Sequence, residues 1–282
     1  LLRLACKKRQ SLAASRRVLK SVCNPTTYSN KLLSLEELKK HLRSAHASFV
    51  EAGEFESALT LLEQFNTLFE HEIIIELRAT THEAWGQAEL KEAAESPPLR
   101  AARLAKDGRY HLRAAGRAYE SLAKVRFATR EYTDDLWFAA ENYYQGQTYT
   151  HAARMLEMYL HHEPERRNAA VFLRLGQSYL TLGETEKAIR ALEQCITMHP
   201  RDLAVYQARL ECVRAYRQMD RNDEAEALLL ENINGDELTP KSPEWRDSLF
   251  ELGEIQHETG RFEQAFKTLE EAVIRYPDAP QA

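Results

Sequence analysis

Residues 169–202 read AAVFLRLGQSYLTLGETEKAIRALEQCITMHPRD, and residues 246–279 repeat the pattern as RDSLFELGEIQHETGRFEQAFKTLEEAVIRYPDA. Aligned on their Leu-Gly pairs, both segments place a second glycine 7 residues later, an alanine after 12, a leucine after 16 and a proline after 24. Such self-similarity is typical of proteins built from stacked structural repeats. The repeat therefore predicts that the chain is built from stacked structural repeats.

Small residues at fixed positions predict a helix, a turn and a second helix in each copy. Ala188 and Ala265 are expected where two antiparallel helices cross, since a larger side chain there would overpack the contact. Gly183 permits the left-handed backbone that ends the first helix. Pro200 stops the second helix, because proline has no N–H to continue the hydrogen-bond ladder.

This pattern resembles the tetratricopeptide-repeat family, whose repeat of about 34 residues contains an apolar residue, Leu-Gly, Tyr, Ala, a bulky apolar residue and Pro. The resemblance implies an all-α fold, a right-handed superhelical solenoid of antiparallel helix pairs. In one copy, the family positions are filled by Phe172, Leu175, Gly176, Tyr179, Ala188, Leu192, Cys195 and Pro200.

Four consecutive repeats are predicted within residues 131–282. In the first, Gly146 comes one residue early for the turn, and in the third, Asp220 stands where glycine is usual. The repeats are expected at about 133–166, 169–202, 206–239 and 246–279.

The N-terminal half is less regular. Residues 31–130 are expected to form a tetratricopeptide-like helical region, continuous with the solenoid and containing one more repeat at about 39–72. Its first helix begins at a predicted capping box, Ser34 with Glu37. A helix end is predicted at Asp107-Gly108. Residues 1–30 are interpreted as a basic tail or helix with a flexible joint.

Charge and composition narrow the functional classes. Residues 1–30 hold seven bases and no acid, whereas the remainder has 31 bases and 43 acids, which disfavours a nucleic-acid-binding groove. The four cysteines show no zinc spacing, and no run of 18 apolar residues predicts a transmembrane helix. Phosphate-loop, GxSxG, HExxH and GxGxxG motifs are absent from the sequence. We therefore expect no cofactor, no metal and no enzymatic activity.

One Glu-x-x-His motif does occur, at Glu254 and His257. A carboxylate-bridged pair of metal ions needs two such motifs on different helices, together with further glutamates. The single motif therefore does not predict a metal site.

In the family that the repeats resemble, the first helix of each pair lines a concave groove that binds a segment of another protein. Trp137 and Phe138 would offer an apolar anchor there, although one of them is equally compatible with the core. Glutamates of the last repeat would meet basic residues of the partner, or would form only a solvated face, while Arg214 and Arg217 would neutralise neighbouring acids. The groove positions that the resemblance implies are Asp134, Trp137, Phe138, Glu141, Tyr144, Arg174, Gln177, Glu211, Arg214, Arg217, Asp247, Phe250, Glu251, Glu254 and Glu258.

The sequence therefore predicts a protein–protein interaction scaffold that binds a partner segment in its groove. The alternative is a membrane-tethered envelope or assembly component, in which residues 1–20 lie against anionic lipid. An enzymatic role would need an unrecognised pocket in residues 72–130. The compartment stays open between the cytoplasm and a membrane surface.

The C-terminal end of the sequence carries one further expectation. The chain ends five residues after Pro277, whereas solenoids normally finish with a capping helix whose outer face is polar. We expect the apolar side of the last repeat to lack a capping helix and to be covered instead by further repeats or by self-association.

Overall fold

The computed structural model describes residue 28 and residues 33–162, 168–235 and 237–281. Apart from Tyr28, the basic tail and joint predicted for residues 1–30 lie outside this part. Within it, twelve α-helices and no β-strand are found, which confirms the all-α prediction. The helices are α1 Leu35–Glu51, α2 Phe55–Phe65, α3 His71–Ala94, α4 Pro98–Val125, α5 Tyr132–Gln145, α6 Tyr149–His162, α7 Ala169–Thr181, α8 Thr185–Met198, α9 Ala204–Gln218, α10 Asn222–Asn234, α11 Pro243–Glu258 and α12 Phe262–Arg275.

The chain divides into two compact units, which are described separately below. Unit 1 extends to Met155, and unit 2 begins at Leu156. The predicted repeat boundaries, and the continuity of residues 31–130 with the repeats, stay predictions.

The first helix of unit 1, α1, begins at the predicted capping box. The Glu37 backbone N–H donates to the Ser34 hydroxyl at 3.2 Å, and the Ser34 N–H donates to the Glu37 carboxylate at 2.9 Å. These two bonds satisfy donors that the first turn of a helix leaves without intrahelical partners. Helix α1 then packs on α2 through a core that includes Leu42 and Phe65.

Helices α3 and α4 cross closely at two glycines. A Cβ on Gly108 would lie 2.9 Å from the backbone oxygen of Gly86, and a Cβ on Gly86 would lie 2.8 Å from the oxygen of Gly108. The predicted helix end at Asp107-Gly108 is wrong, because α4 continues through this point to Val125. Glycine is required there by the approach of a neighbouring backbone and not by a turn.

Gly146, which comes one residue early for the turn of the first predicted repeat, is also explained by close packing against a neighbouring helix. Gln147, and not Gly146, adopts the left-handed backbone after α5, with φ of 57°. A Cβ on Gly146 would lie 2.8 Å from Cγ of Arg113, whose guanidinium donates to the Gly146 oxygen at 2.8 Å. Packing against α4 therefore selects the glycine, and the turn falls on its neighbour.

Unit 2 contains three helix pairs, α7 with α8, α9 with α10, and α11 with α12. The turns within the pairs have left-handed residues at Gly183, Asp220 and Gly260, as the repeat pattern predicts, with φ of 75°, 56° and 78°. Ala188 and Ala265 are buried, with exposed fractions of 0% and 2%. Both small residues are therefore buried in unit 2, as a place between packed helices requires.

Candidate protein-binding surface

The first helices of the three pairs in unit 2 are neighbours, because α9 packs against both α7 and α11. The candidate groove residues of unit 2 all lie on these helices. Most of them are connected to one another by hydrogen bonds and ion pairs, which form two clusters around Glu211 and Arg217.

The carboxylate of Glu211 joins α7 to α9. Gln177 on α7 donates its amide N–H to Glu211 Oε1 at 3.2 Å, and Gln207 on α9 donates to the same oxygen at 3.0 Å. Arg214 donates to Glu211 Oε2 at 3.2 Å, and Arg174 donates to Gln177 at 2.9 Å. Since Glu211 is only 8% exposed, these donors compensate the cost of burying its charge.

Sequence reasoning missed Gln207, although its position provides a signal. Gln207 precedes Glu211 by four residues, and side chains at that spacing lie on the same face of a helix. Gln207 therefore belongs with Glu211 in the candidate surface.

The guanidinium of Arg217 on α9 meets three glutamates of α11. It donates to Glu251, to Glu254 at 3.1 Å and to Glu258 at 2.7 Å. Burial alone would lower the pKa of Arg217, but the hydrogen bond with Glu258 and the charge of Glu251 raise the pKa above its ordinary value. With three carboxylates and one guanidinium, this glutamate cluster (Arg217, Glu251, Glu254 and Glu258) carries a net charge of −2.

The members of the glutamate cluster differ in exposure. The side chains of Arg217 and Glu251 are each 22% exposed, whereas those of Glu254 and Glu258 are each 50% exposed. Glu254 and Glu258 therefore present carboxylate oxygens to solvent while they also contact Arg217. Arg217 neutralises part of this acidic face, which is one of the roles that the sequence suggested for it.

The other two candidates on α11 behave differently. Asp247 accepts from the guanidinium of its neighbour Arg246 at 2.8 Å and 2.9 Å. Phe250 is only 3% exposed and packs in a core cluster with Trp245 and Leu249. Its expected place in the groove is therefore wrong, because this side of α11 is covered by α12 and by the connection that follows α10.

The candidates of unit 1 form a separate group on α5. Phe138 is 43% exposed, and its ring lies 5.4 Å from that of Tyr119, between centroids. Trp137 is half-buried, so Phe138 is the more accessible of the two aromatic residues. The complete group on α5 is Asp134, Trp137, Phe138, Glu141 and Tyr144.

Other kinds of site have less support in the described part of the chain. No three His, Cys, Asp or Glu side chains converge there as ligands for a metal ion. No helix among the described residues has the length and apolar character needed to cross a membrane. Cys195 and Cys212 are buried, and burial raises the pKa of each thiol to about 12, which disfavours the reactive thiolate.

Comparisons with known proteins place this arrangement among helical-repeat proteins. Two family models, each described as a tetratricopeptide repeat, match residues 169–212 and 210–280. A crystal structure of MamA is 19% identical, with a TM-score of 0.50, and covers 61% of this chain and 92% of its own. No curated protein matches the sequence.

A second solved structure contains nearly identical TPR-like repeats of a putative kinesin light chain from Podosopora anserina. It is 16% identical, with a TM-score of 0.55, and covers 76% of this chain and 100% of its own. Identities this low support the fold alone. Residues 169–280 therefore match tetratricopeptide-repeat models, and the solved structures support an all-α, solenoid-type fold. Repeats of this kind support a role as a protein-interaction scaffold.

Proposed function

We propose that the protein is an interaction scaffold whose unit 2 binds a basic segment of another protein along α7, α9 and α11. The observation that supports this most directly is the glutamate cluster, with its net charge of −2 on the exposed side of neighbouring first helices. A cationic partner would reduce the repulsion among these carboxylates, and complementary charge favours both encounter and orientation.

The exposure of the two outer glutamates suggests how contact would be made. Glu254 and Glu258 are separated by one helical turn, so a lysine or arginine of the partner could reach both carboxylates. Glu251 would remain with Arg217, since both side chains are largely covered. Because the contact is electrostatic and partly exposed, its affinity is expected to fall as salt concentration rises.

The amides around Glu211 would act as the second part of the surface. Gln177 and Gln207 are half-buried and are held by the same carboxylate. An amide held in position could bond to the backbone of an extended segment at a small additional entropic cost. Phe138 on α5 in unit 1 is a separate candidate for an apolar contact.

Selection of peptides from a random display library, with the intact chain as bait, would test this proposal. We expect the enriched peptides to contain closely spaced basic residues. Synthetic copies should bind at least about tenfold more weakly to the double variant Glu254→Lys, Glu258→Lys, because two attractive contacts become repulsive.

Glu186→Lys is the matched control, because Glu186 is an exposed glutamate of unit 2 on the second helix α8. It should leave binding almost unchanged, and circular dichroism would verify that each variant is folded. Enrichment of acidic peptides, or equal binding by the double variant and the wild type, would contradict the proposal.

The membrane-tethered alternative depends on residues 1–20, which lie outside the described residues. Co-sedimentation with anionic vesicles, comparing the intact chain with one that starts at Leu32, would test it. Equal binding by the two chains would eliminate tethering by the tail. That the protein is not an enzyme stays a prediction from the sequence.

A further inference from the structure

Two half-buried histidines, His82 and His111, join helices α3 and α4 of unit 1. Nδ1 of His82 on α3 lies 3.1 Å from Nδ1 of His111 on α4. The ring centroids are 5.3 Å apart and the ring planes differ by 21°, so the rings meet at their Nδ1 edges and each nitrogen points at the other. One nitrogen donates and the other accepts, so a single proton lies between the two rings of this histidine pair.

Packing on both helices holds the histidine pair in position. The ring of Trp85 stacks on His111 with 3.8 Å between centroids, and the uncharged ring of Phe55 on α2 stacks on Trp85 at 5.6 Å. Beside the pair, α3 and α4 approach closely at Gly86 and Gly108, where a Cβ would overlap the opposite backbone. The two rings therefore cannot turn away from each other without loss of these contacts.

The surroundings of the histidine pair oppose the uptake of a further proton. Burial lowers the pKa of His82 to about 4, and the charges of His111, of Arg78 on α3 and of Arg117 on α4 act in the same direction. Burial also lowers the pKa of His111, against the opposing charge of Asp107 on α4. Both rings are therefore neutral at pH 7.

Other titratable groups lie along the same helices and on the helices packed against them. From α1, His46 bonds to Thr81 on α3 at 2.9 Å, and burial lowers the pKa of His46 as well. From α5, Tyr143 packs against Gly116 on α4. Three glutamates of α3 and α4 accept hydrogen bonds from a tyrosine or a tryptophan, namely Glu83, Glu89 and Glu120. His46 is therefore a second histidine that acid could charge, and its effect has to be separated from that of the pair.

We propose that the histidine pair is an acid-sensitive switch between α3 and α4, which holds unit 1 closed at neutral pH and loosens it when the pair takes up protons. One added proton still leaves a donor and an acceptor between the rings. A second proton places an N–H on each Nδ1, so that two like charges face each other across the contact between His82 and His111. Loosening would expose Trp85 and Phe55 further to solvent.

The direction of the pH effect follows from the lowered pKa of His82. When the contact opens, this pKa returns from about 4 to its ordinary value of 6.5, so the open state binds protons more strongly than the closed state. The stability of the closed state is therefore complete above about pH 7 and is lost as the pH falls through 6.5 towards 4. Between pH 7 and pH 5, His82 alone favours opening by roughly twentyfold.

Hydrogen–deuterium exchange of the intact chain at pH 7 and pH 5, corrected for the intrinsic effect of pH on amide exchange, tests the proposal. We expect the amides of α3 and α4 to lose at least about tenfold in protection at pH 5, while those of α8 in unit 2 change little. The double variant His82→Asn, His111→Asn should abolish this loss, because two amides are able to keep a hydrogen bond between these positions without titrating. His71→Asn is the matched control, since His71 is an exposed histidine of α3, and it should behave like the wild type.

Two further measurements separate the histidine pair from other groups. His46→Gln should keep the loss of protection at pH 5, because the pair is intact. In an NMR titration of the wild type, the imidazole signals of His82 and His111 should move together and only below about pH 6, as coupled groups do. Asp135 is retained in every variant, so its contribution cancels in the comparison.

The proposal would be overturned by a wild-type chain that keeps the protection of α3 and α4 at pH 5, or by a double variant that loses it as the wild type does. Loss of the effect in His46→Gln alone would assign the switch to the contact between α1 and α3 instead. Independent titration of His82 and His111 at the ordinary histidine pKa would also refute it, whatever the stability of the variants.

Discussion

Arg217→Gln is expected to make unit 2 less stable and, at the same time, a better binder of basic peptides. The substitution removes the one guanidinium of the glutamate cluster and leaves Glu251, Glu254 and Glu258 in place. The net charge of the cluster changes from −2 to −3. The two effects have opposite consequences, and both follow from the same contacts.

The loss of stability can be estimated from the contacts of Arg217. A partly exposed ion pair contributes about 0.2–1 kcal/mol, and the three pairs share one side chain, so their sum is well below the upper limit. We expect the free energy of unfolding to fall by about 1–2 kcal/mol.

The gain in affinity follows from the extra negative charge. One more attraction of about 0.5–1 kcal/mol to a basic side chain at the surface corresponds to roughly two- to fivefold tighter binding. Urea denaturation followed by circular dichroism would measure the first effect. Titration calorimetry with a selected basic peptide, at low and high salt, would measure the second.

Arg190→Gln is the charge-matched control, since Arg190 is an exposed base on α8 and outside the glutamate cluster. It should change neither quantity appreciably. Weaker or unchanged peptide binding by Arg217→Gln, in a variant that remains folded, would refute the role assigned to the glutamate cluster.

Three further substitutions test the packing of unit 1. Alanine usually stabilises a helix interior relative to glycine by about 1 kcal/mol. Gly108→Ala should instead lower the free energy of unfolding by about 1–3 kcal/mol, because its Cβ would overlap the backbone of Gly86. Urea denaturation would measure this change, and a gain in stability would contradict the close crossing of α3 and α4. Gln147→Gly should raise the melting temperature slightly, since relief of left-handed strain outweighs the entropy of glycine by about 0.5 kcal/mol, and a lower melting temperature would argue against that strain. Burial raises the pKa of Asp135 from 3.8 to about 7 against the opposing charge of Arg126, so the stabilisation from its protonated form is complete below about pH 4 and is lost as the pH rises through 7. Asp135→Asn should remove this part of the pH dependence of unfolding between pH 4 and 7, and an unchanged dependence would assign it to other groups.

Much of the fold could be predicted because some residue types allow only one local structure. Glycine at 183 and 260 marks the left-handed turns, where other residues are strained, and alanine at 188 and 265 marks buried positions of the second helices. Gly108 could not be interpreted in this way, because glycine also serves where two backbones approach. The sequence does not show which neighbour passes beside it.

The candidate surface was predicted less completely, since it depends on contacts between distant residues. The groove residues were assigned from their positions in the repeat, which assumes that every first helix exposes the same side. In α11 this assumption fails for Phe250, because the connection after α10 brings Leu238 against the core cluster that contains it. Arg217 and its three glutamates were all named from the sequence. The contact among these four side chains could not be predicted. Arg217 is 34 to 41 residues away from the glutamates in the sequence, and it reaches them only because α9 and α11 pack side by side.

The hydrogen bond between Gln177 and Glu211 connects the first helix pair of unit 2 to the second, and the bonds of Arg217 connect the second pair to the third. Repeats of a solenoid are often treated as interchangeable modules that contact only their neighbours. Here each module carries half of a bond whose other half belongs to the next. Shuffling, deleting or duplicating a single repeat would strand buried or paired charges, so the order of the modules in unit 2 is encoded in the side chains themselves.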